Sequence, residues 1–165
     1  MNSAGPVERK SPSLLIGIAI GNPLRGDDGV AHRVLELLSS RRDIRTRSLL
    51  QLNPEIAFEI ANAKSVFFVD ADVSGHQPTI EPIPSLNSTQ PPLSHQVTPG
   101  EIVTLARKLF GFSGQAFLCR VPAFHFEDGE KLSLEAEKAA RQIADMIESA
   151  IKAVLSSGSV PTNKP

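Results

Sequence analysis

The chain has 165 residues, of which 41% are apolar and 21% charged, and its formal net charge is −1. This composition fits one globular domain, and the slightly negative charge argues against nucleic acid, which prefers strongly basic surfaces. The longest clearly apolar run, residues 14–20, is far shorter than the ~20 residues of a membrane-spanning helix, and no signal-peptide cleavage pattern follows it. We therefore expect a cytoplasmic protein that binds neither nucleic acid nor membrane.

The N-terminal half predicts strands alternating with helices. Residues 14–20 are short, Ile- and Leu-rich and without clear alternation, which indicates a buried strand. Apolar residues then recur at helical spacing over 30–40. A second strand is predicted at 46–50, and a short helix at 54–63 begins with a proline, which is tolerated in the first turn. Residues 65–70 form the clearest strand of the sequence.

The C-terminal half continues the same alternation. A weaker strand is predicted at 79–83, followed by an exposed loop over 84–96 that is rich in Pro, Ser, Thr and Asn. Thr98, with Glu101 three residues later, predicts a capping box that starts a helix. Another strand is predicted at 116–121, and Ser133 precedes a long C-terminal helix. The one cysteine, Cys119, lies inside that last strand, which favours buried filler over a nucleophile.

This order of elements predicts an α/β fold: a three-layer α/β/α sandwich with a mainly parallel, twisted sheet, of the phosphorylase/hydrolase-like kind. We expect a single domain over residues 14–155, with flexible termini at 1–13 and 156–165. In such sheets, ligands bind beyond the carboxyl ends of the strands, where strand order reverses. Polar residues at those ends are therefore the candidates for function.

Three acidic or imidazole side chains stand out at the predicted strand ends. Asp28, with its neighbour Asp27, follows the first strand, and Asp70 ends the central one. His95 closes the long loop that precedes the Thr98 cap, and a loop folded over the sheet would bring it to the two acids. Two carboxylates and an imidazole suit a borderline divalent metal such as nickel or zinc.

Each of these residues also has an ordinary structural interpretation. Asp27 or Asp28 could cap the first helix, Asp70 could simply end a strand, and His95 could be a surface residue. His32 is interpreted as structural. The nearby glycines could cradle a phosphate, but the acidic pair occupies the anion's place and no P-loop lysine follows.

Four motifs carry a resemblance to a known family. They are a glycine-rich segment at 17–31 that includes Gly-Asn-Pro-Leu-Arg-Gly-Asp-Asp-Gly, a strand ending in Asp70-Ala71 followed by Ser74-Gly75, Ser94-His95-Gln96 before a helix, and Val121-Pro122 followed by the segment 129–133. In this order they resemble the [NiFe]-hydrogenase maturation endopeptidases, and the resemblance extends over residues 14–155.

The resemblance implies a peptidase of the aspartic or metal-dependent type. Its substrate would be a [NiFe]-hydrogenase large-subunit precursor that already carries nickel, and the enzyme would remove the C-terminal extension. Separately, we expect a monomer. Nickel would thus arrive with the substrate, although other divalent ions could occupy the site in vitro. The implied catalytic and metal-contacting residues are Asp28, Asp70 and His95, and the implied substrate contacts are Asn22, Asp27, Ser74 and Gly75.

One departure and two rivals accompany this interpretation. Where many family members have an acidic Asp-Gly-Gly element after the second strand, this chain has Ser-Leu-Leu-Gln-Leu-Asn-Pro at 48–54, a segment that the resemblance implies faces the substrate. The choice of hydrogenase is therefore open. The enzymatic rival is a peptidyl-tRNA hydrolase-like protein, which also has a first strand leading into Gly-Asn-Pro but would require an RNA-binding surface. The non-enzymatic rival is a nickel-sensing escort of hydrogenase precursors.

Overall fold

A computed structural model describes residues 15–84 and 96–157. Within these residues, five strands form one sheet, flanked by four α-helices and one short 3₁₀ helix. The strands are β1 (Leu15–Ile20), β2 (Ile44–Leu49), β3 (Ser65–Asp72), β4 (Thr79–Pro82) and β5 (Gln115–Pro122). The helices are α1 (Val30–Leu37), α2 (Ile56–Glu59), α3 (Pro99–Phe110) and α4 (Leu134–Ser157), and the 3₁₀ helix covers Gly26–Gly29.

The sheet has the order β2-β1-β3-β5-β4, and only the pairing of β4 with β5 is antiparallel. The chain moves from β1 to β2 on one side and then returns to β3 on the other, so strand order reverses at β1. In register, Ile20 at the end of β1 lies between Leu49 of β2 and Asp70 of β3. The carboxyl ends of these three strands therefore form one edge at the switch point, where ligands bind in this class of fold.

Side-chain alternation along the strands divides the core into two layers. One face of the sheet packs against α1 and α4, and the other packs against α2 and α3. The first face receives Leu15, Ala19, Phe67, Val69 and Cys119; the second receives Ile16, Ile18, Val66, Phe68 and Ala116. Helices on both faces of a mainly parallel sheet confirm the predicted three-layer α/β/α fold. By the same alternation, Asp70 continues the second face at the open end of the sheet.

The predicted elements are all present, with shifted ends. The helix predicted over 30–40 ends at Leu37, and the one predicted over 54–63 is a single turn, α2. The capping box at α3 is confirmed: Thr98 Oγ1 accepts from the Glu101 N–H at 3.2 Å, and the Thr98 N–H donates to the Glu101 carboxylate at 2.7 Å. The predicted flexible N-terminus and most of the predicted loop 84–96 lie outside the described residues, whereas α4 continues past the predicted end at 155. No helix in the described part of the chain could cross a membrane.

Candidate active site

A cavity of about 630 Å³ opens beyond the carboxyl ends of β1, β2 and β3. Its walls come from four segments that are distant along the chain: Ile20, Gly21 and Asp28 after β1, residues 50–54 after β2, Asp70 in β3, and residues 96–99 before α3. The structure thus brings together two of the three side chains that the sequence predicted to meet, Asp28 and Asp70, at the predicted edge of the sheet.

Asp28 is held in place by the tight turn that follows β1. The Asn22 N–H donates to Asp28 Oδ2 at 2.8 Å, while Asn22 Oδ1 accepts from the Leu24 N–H at 2.9 Å and closes the turn. Gly21 has a φ of 142°, and a Cβ at this position would overlap the Asp28 carbonyl oxygen. Only glycine fits such a conformation and such a close approach. Asn22 therefore orients the Asp28 carboxylate, although its own side chain is used by the turn.

Asp70 lies half-buried near the end of β3, and its carboxyl is a weaker acid than an ordinary aspartate. Its pKa is raised to about 6, first because burial disfavours the charged carboxylate and then because of the negative charges of Asp28 and Asp72. A hydrogen bond from the Ala71 N–H and the charge of Arg120 oppose the shift without cancelling it. Two carboxylates that repel each other in one cavity form a pair that a bound cation would stabilise.

Asp27, the other member of the acidic pair, points away from the cavity and into the protein. Its side chain is fully buried, and its two oxygens accept hydrogen bonds from the N–H groups of Phe124 and His125, at 2.9 and 3.0 Å, and from the N–H and hydroxyl of Ser133, both at 2.7 Å. These donors leave no oxygen for a substrate. We therefore revise the predicted role of Asp27 from substrate contact to positioning: it ties the turn after β1 to the start of α4.

The hydrogen bonds of Asp27 also account for its acidity. Burial raises the pKa of this carboxyl, but the hydrogen bonds from Ser133, Phe124 and His125 together outweigh burial and lower the pKa below its ordinary value. The carboxylate therefore stays ionised inside the protein. The bonds join parts of the chain about a hundred positions apart in sequence, which no local motif could have indicated.

Of the histidines that the structure describes, His32 lies beside the cavity wall, whereas the side chains of His76 and His125 do not line the cavity. His95 lies outside the described residues; its neighbour Gln96 lines the cavity. The ring Nε2 of His32 lies 2.7 Å from the Gly21 carbonyl oxygen, so its predicted structural role is to brace the glycine that packs against Asp28. His76 and His125 are exposed, and neither belongs to the cavity wall.

The other predicted substrate contacts, Ser74 and Gly75, lie in the turn after β3 and do not line the cavity. Asp72 Oδ1 accepts hydrogen bonds from the Ser74 N–H at 2.9 Å and from its hydroxyl at 2.7 Å. These two bonds lower the pKa of Asp72, in contrast to the raised value at Asp70 two residues earlier. A large substrate that extends past the cavity mouth could still reach this turn.

The described residues contain no group of three or more His, Cys, Asp or Glu side chains able to hold a metal ion. Asp28 and Asp70 alone supply two oxygen ligands, so a stable metal centre needs further ligands from elsewhere in the chain or from a substrate. Cys119 cannot serve, because it is fully buried in β5 and burial strongly raises the pKa of its thiol. The prediction that Cys119 is core filler is confirmed.

Two walls of the cavity come from segments that carry few of the predicted site residues. Residues 50–54 belong to the segment that the resemblance implies faces the substrate, and their position agrees with this. Residues 96–99 are predicted mainly as a helix start, yet they also line the opening. Leu50 is 69% exposed there. Its position beside the cavity cannot be predicted from sequence, because it depends on the register of β2 against β1.

Comparisons with known proteins agree with this architecture. No family model matches the chain, and no curated protein matches it. Among solved structures, it is similar to the [NiFe] hydrogenase maturation protease HycI from Thermococcus kodakarensis KOD1, with a TM-score of 0.64 and 20% identity over 87% of this chain and 95% of the other.

Two further solved structures are similar. For the hydrogenase maturating endopeptidase HybD from E. coli, the TM-score is 0.63 with 16% identity, over 84% of this chain and 91% of the other. For the hydrogenase 2 maturation peptidase from a Thaumarchaeota archaeon, the TM-score is 0.59 with 21% identity, over 83% and 97%. At these identities the likeness shows the fold. The resemblance in sequence motifs is therefore confirmed at the level of the fold.

Proposed function

We propose that this chain is a peptidase of the hydrogenase maturation type, which removes the C-terminal extension of a nickel-loaded large-subunit precursor. One observation carries the proposal: Asp28 and Asp70 converge on one cavity at the switch point of the sheet, and their mutual repulsion helps to raise the pKa of Asp70 to about 6. The fold shared with three hydrogenase maturation peptidases supports the choice of reaction and substrate.

Nickel enters this proposal as part of the substrate. Asp28 and Asp70 are carboxylates that both line the cavity, and His95 would add an imidazole from the segment that leads into Gln96. A site with few ligands of its own can recognise a metal that a partner protein already holds. An unloaded precursor would then bind weakly, so that cleavage would follow correct metal insertion.

The chain's own residues can supply base catalysis. In the free protein, Asp70 has a pKa of about 6 and is roughly ten-to-one ionised at pH 7, so it is ready both to contact a cation and to accept a proton. Asp70 would take a proton from a water molecule while the oxygen of that water attacks the scissile carbonyl. Asp70 would then return a proton to the departing amine. The products are a new carboxylate on the mature subunit and a free extension peptide. A nickel ion in the substrate would supply Lewis-acid polarisation of the carbonyl.

The test is cleavage of purified precursor, followed as a decrease in mass. The wild-type protein should trim nickel-loaded precursor and leave nickel-free precursor intact. Its kcat/KM should fall as pH decreases below about 6, because Asp70 of the free enzyme is then protonated. Asp28→Ala, Asp70→Asn and His95→Ala should each lower the rate at least about 100-fold, whereas His76→Ala, at an exposed site, should not. Binding of precursor without any cleavage would instead identify the protein as a nickel-sensing escort.

Three accompanying predictions concern the state of the protein and its substrate contacts. A monomer in the cytoplasm is expected, and size-exclusion chromatography and cell fractionation test this. Ser74 and Gly75 are proposed to touch the body of the precursor beyond the cavity mouth. Ser74→Arg should then raise KM for the precursor and lower the thermal stability of the enzyme only slightly, because the exposed turn loses one hydrogen bond to Asp72. An unchanged KM would remove this turn from the contact surface.

A further inference from the structure

The strand β2 forms one edge of the sheet and leads directly into the cavity. Among the described strands it pairs only with β1, so its other side has no partner there. All its side chains after Ile44 are at least partly exposed. The residues that follow it, 50–54, line the cavity. Edge and cavity are therefore one continuous surface, whose junction is marked by the exposed Leu50.

Hydrogen bonding shows which backbone groups of β2 face outward. The Leu49 carbonyl accepts from the Gly21 N–H at 3.0 Å, so the N–H and C=O of Leu49 point toward β1. Because successive residues of a strand point their backbone groups to opposite sides, those of Thr46 and Ser48 point away from the sheet. At ~3.3 Å per residue, the outer side offers an edge about 20 Å long.

The charge along this edge favours an acidic or C-terminal peptide. Arg45 and Arg47 share a single carboxylate, Glu59, at 3.1 and 3.3 Å, and about half of each guanidinium side chain remains exposed. Arg42, just before β2, is exposed and forms no ion pair with a described residue. The start of β2 is thus basic, whereas its far end leads to the acidic cavity with Asp28 and Asp70.

We propose that β2 binds the C-terminal extension of the substrate as an added antiparallel strand; this rests on the proposed peptidase function. In the proposed complex, the metal-bearing body of the precursor lies at the cavity, so the extension begins at the scissile bond inside the cavity and continues outward from it. Running back along β2, it would exchange backbone hydrogen bonds with Thr46 and Ser48 and bring its terminal carboxylate to the basic start of the strand. The strand would hold the scissile bond beside Asp70, and sequence-independent backbone contacts would accommodate varied extensions.

Amide hydrogen exchange measured by NMR tests the docking directly on the wild-type protein. The probe is a synthetic peptide that spans the extension of a precursor the protein cleaves. Exchange at Thr46 and Ser48 should become about tenfold slower at saturation, while Arg45 and Arg47, whose amides already face β1, should not change. An unchanged rate at Thr46 and Ser48 would overturn the proposal. So would slow exchange there in the free protein, since the chain itself would then cover the edge.

Two substitutions at one position give a matched kinetic test. Ser48→Pro removes the outward N–H without removing a bond to β1, and edge strands tolerate proline in this arrangement. It should raise KM for the precursor about tenfold relative to Ser48→Ala, the reference variant that keeps the N–H, with kcat little different between the two. An equal KM for the two variants would contradict the inference, and if Ser48→Pro fails to fold, the exchange measurement decides.

The charge component has its own control, and the two proposals can fail separately. Amidation of the peptide's terminal carboxylate should weaken binding at least about threefold, and equal binding of both peptides would refute the predicted direction of the added strand.

If wild-type protein cleaves the precursor but the edge amides are unaffected, the inference alone fails. If it cleaves no nickel-loaded precursor, the proposed function fails and the inference fails with it.

Discussion

Replacing Asp70 by asparagine should make the protein more stable while removing its activity. The folded-state pKa of Asp70 is about 6, above the ordinary value of 3.8, so the native state binds its proton more tightly than the unfolded state does. This contribution to stability is present below pH 3.8 and is lost as pH rises through 6. At neutral pH, wild type therefore carries a destabilising charge that the neutral amide would not.

The size of the effect follows from the shift. A difference of about two pKa units corresponds to ~3 kcal/mol at pH 8 and about 1 kcal/mol at pH 4.5, where the unfolded carboxyl is only partly ionised. Solvent at the cavity mouth screens part of this, so we expect a gain of about 1–3 kcal/mol at pH 8 and less than about 1 kcal/mol at pH 4.5. The asparagine oxygen can still accept the Ala71 N–H.

Urea unfolding of wild type and Asp70→Asn at the two pH values provides the measurement, and at pH 8 the melting temperature should rise by ~2–4 °C for each kcal/mol. Asp72→Asn is the control from the same strand. Its carboxyl has a lowered pKa because of its bonds to Ser74, so asparagine there should give no gain at pH 8. A destabilised Asp70→Asn, or a gain that is the same at both pH values, would refute the reasoning.

Other substitutions test the supports of the cavity. Asp27→Ala leaves three backbone N–H groups and a hydroxyl without their acceptor, so it should lower the free energy of unfolding in urea by about 3–5 kcal/mol. The control Asp128→Ala, at an exposed position, should change it by no more than about 0.5 kcal/mol. A loss below about 1 kcal/mol for Asp27→Ala would contradict the structural role of these hydrogen bonds. Gly21→Ala should lower the free energy of unfolding by more than about 2 kcal/mol and reduce cleavage, because the added Cβ would overlap the Asp28 carbonyl oxygen. Near-normal stability and cleavage would contradict this close contact. Cys119 should resist iodoacetamide in the folded protein, and rapid labelling detected by mass would show that it is not buried.

Sequence periodicity determined most of the fold because each element follows from short-range patterns. The β3 strand and the Thr98 capping box are examples in which neighbouring residues decide the local structure. The strand-end rule also located Asp28 and Asp70 without knowledge of their contacts. Lengths were less predictable: the helix predicted over 54–63 is one turn, α2, because i→i−3 turns replace helical hydrogen bonds after Ile60.

The site itself was predictable only in part, since its supports join distant segments. Asp27 and Asp28 are adjacent in sequence and chemically identical, so no local signal separates the buried one from the one in the cavity. The distinction depends on the Ser133 donors at the start of α4 and on the Asn22 N–H, which reach opposite sides of the same turn. Likewise, the cavity wall at 96–99 depends on how α3 packs.

The opposite roles of the two neighbouring aspartates explain how the chain can keep an unfavourable pair of charges. Gly26 lets the turn approach the loop before α4 so closely that a Cβ would lie 2.7 Å from the His125 carbonyl oxygen. Asp27 then fixes that contact with four charge-assisted hydrogen bonds, each stronger than a neutral one. This rigid support offsets the repulsion between Asp28 and Asp70 and prevents them from moving apart. Loss of Asp27 should therefore lower the pKa of Asp70 in part, because the released turn would let Asp28 move away while burial, the main cause of the raised pKa, remains. NMR titration of the Asp70 carboxyl in Asp27→Ala measures this, and an unchanged pKa would contradict it.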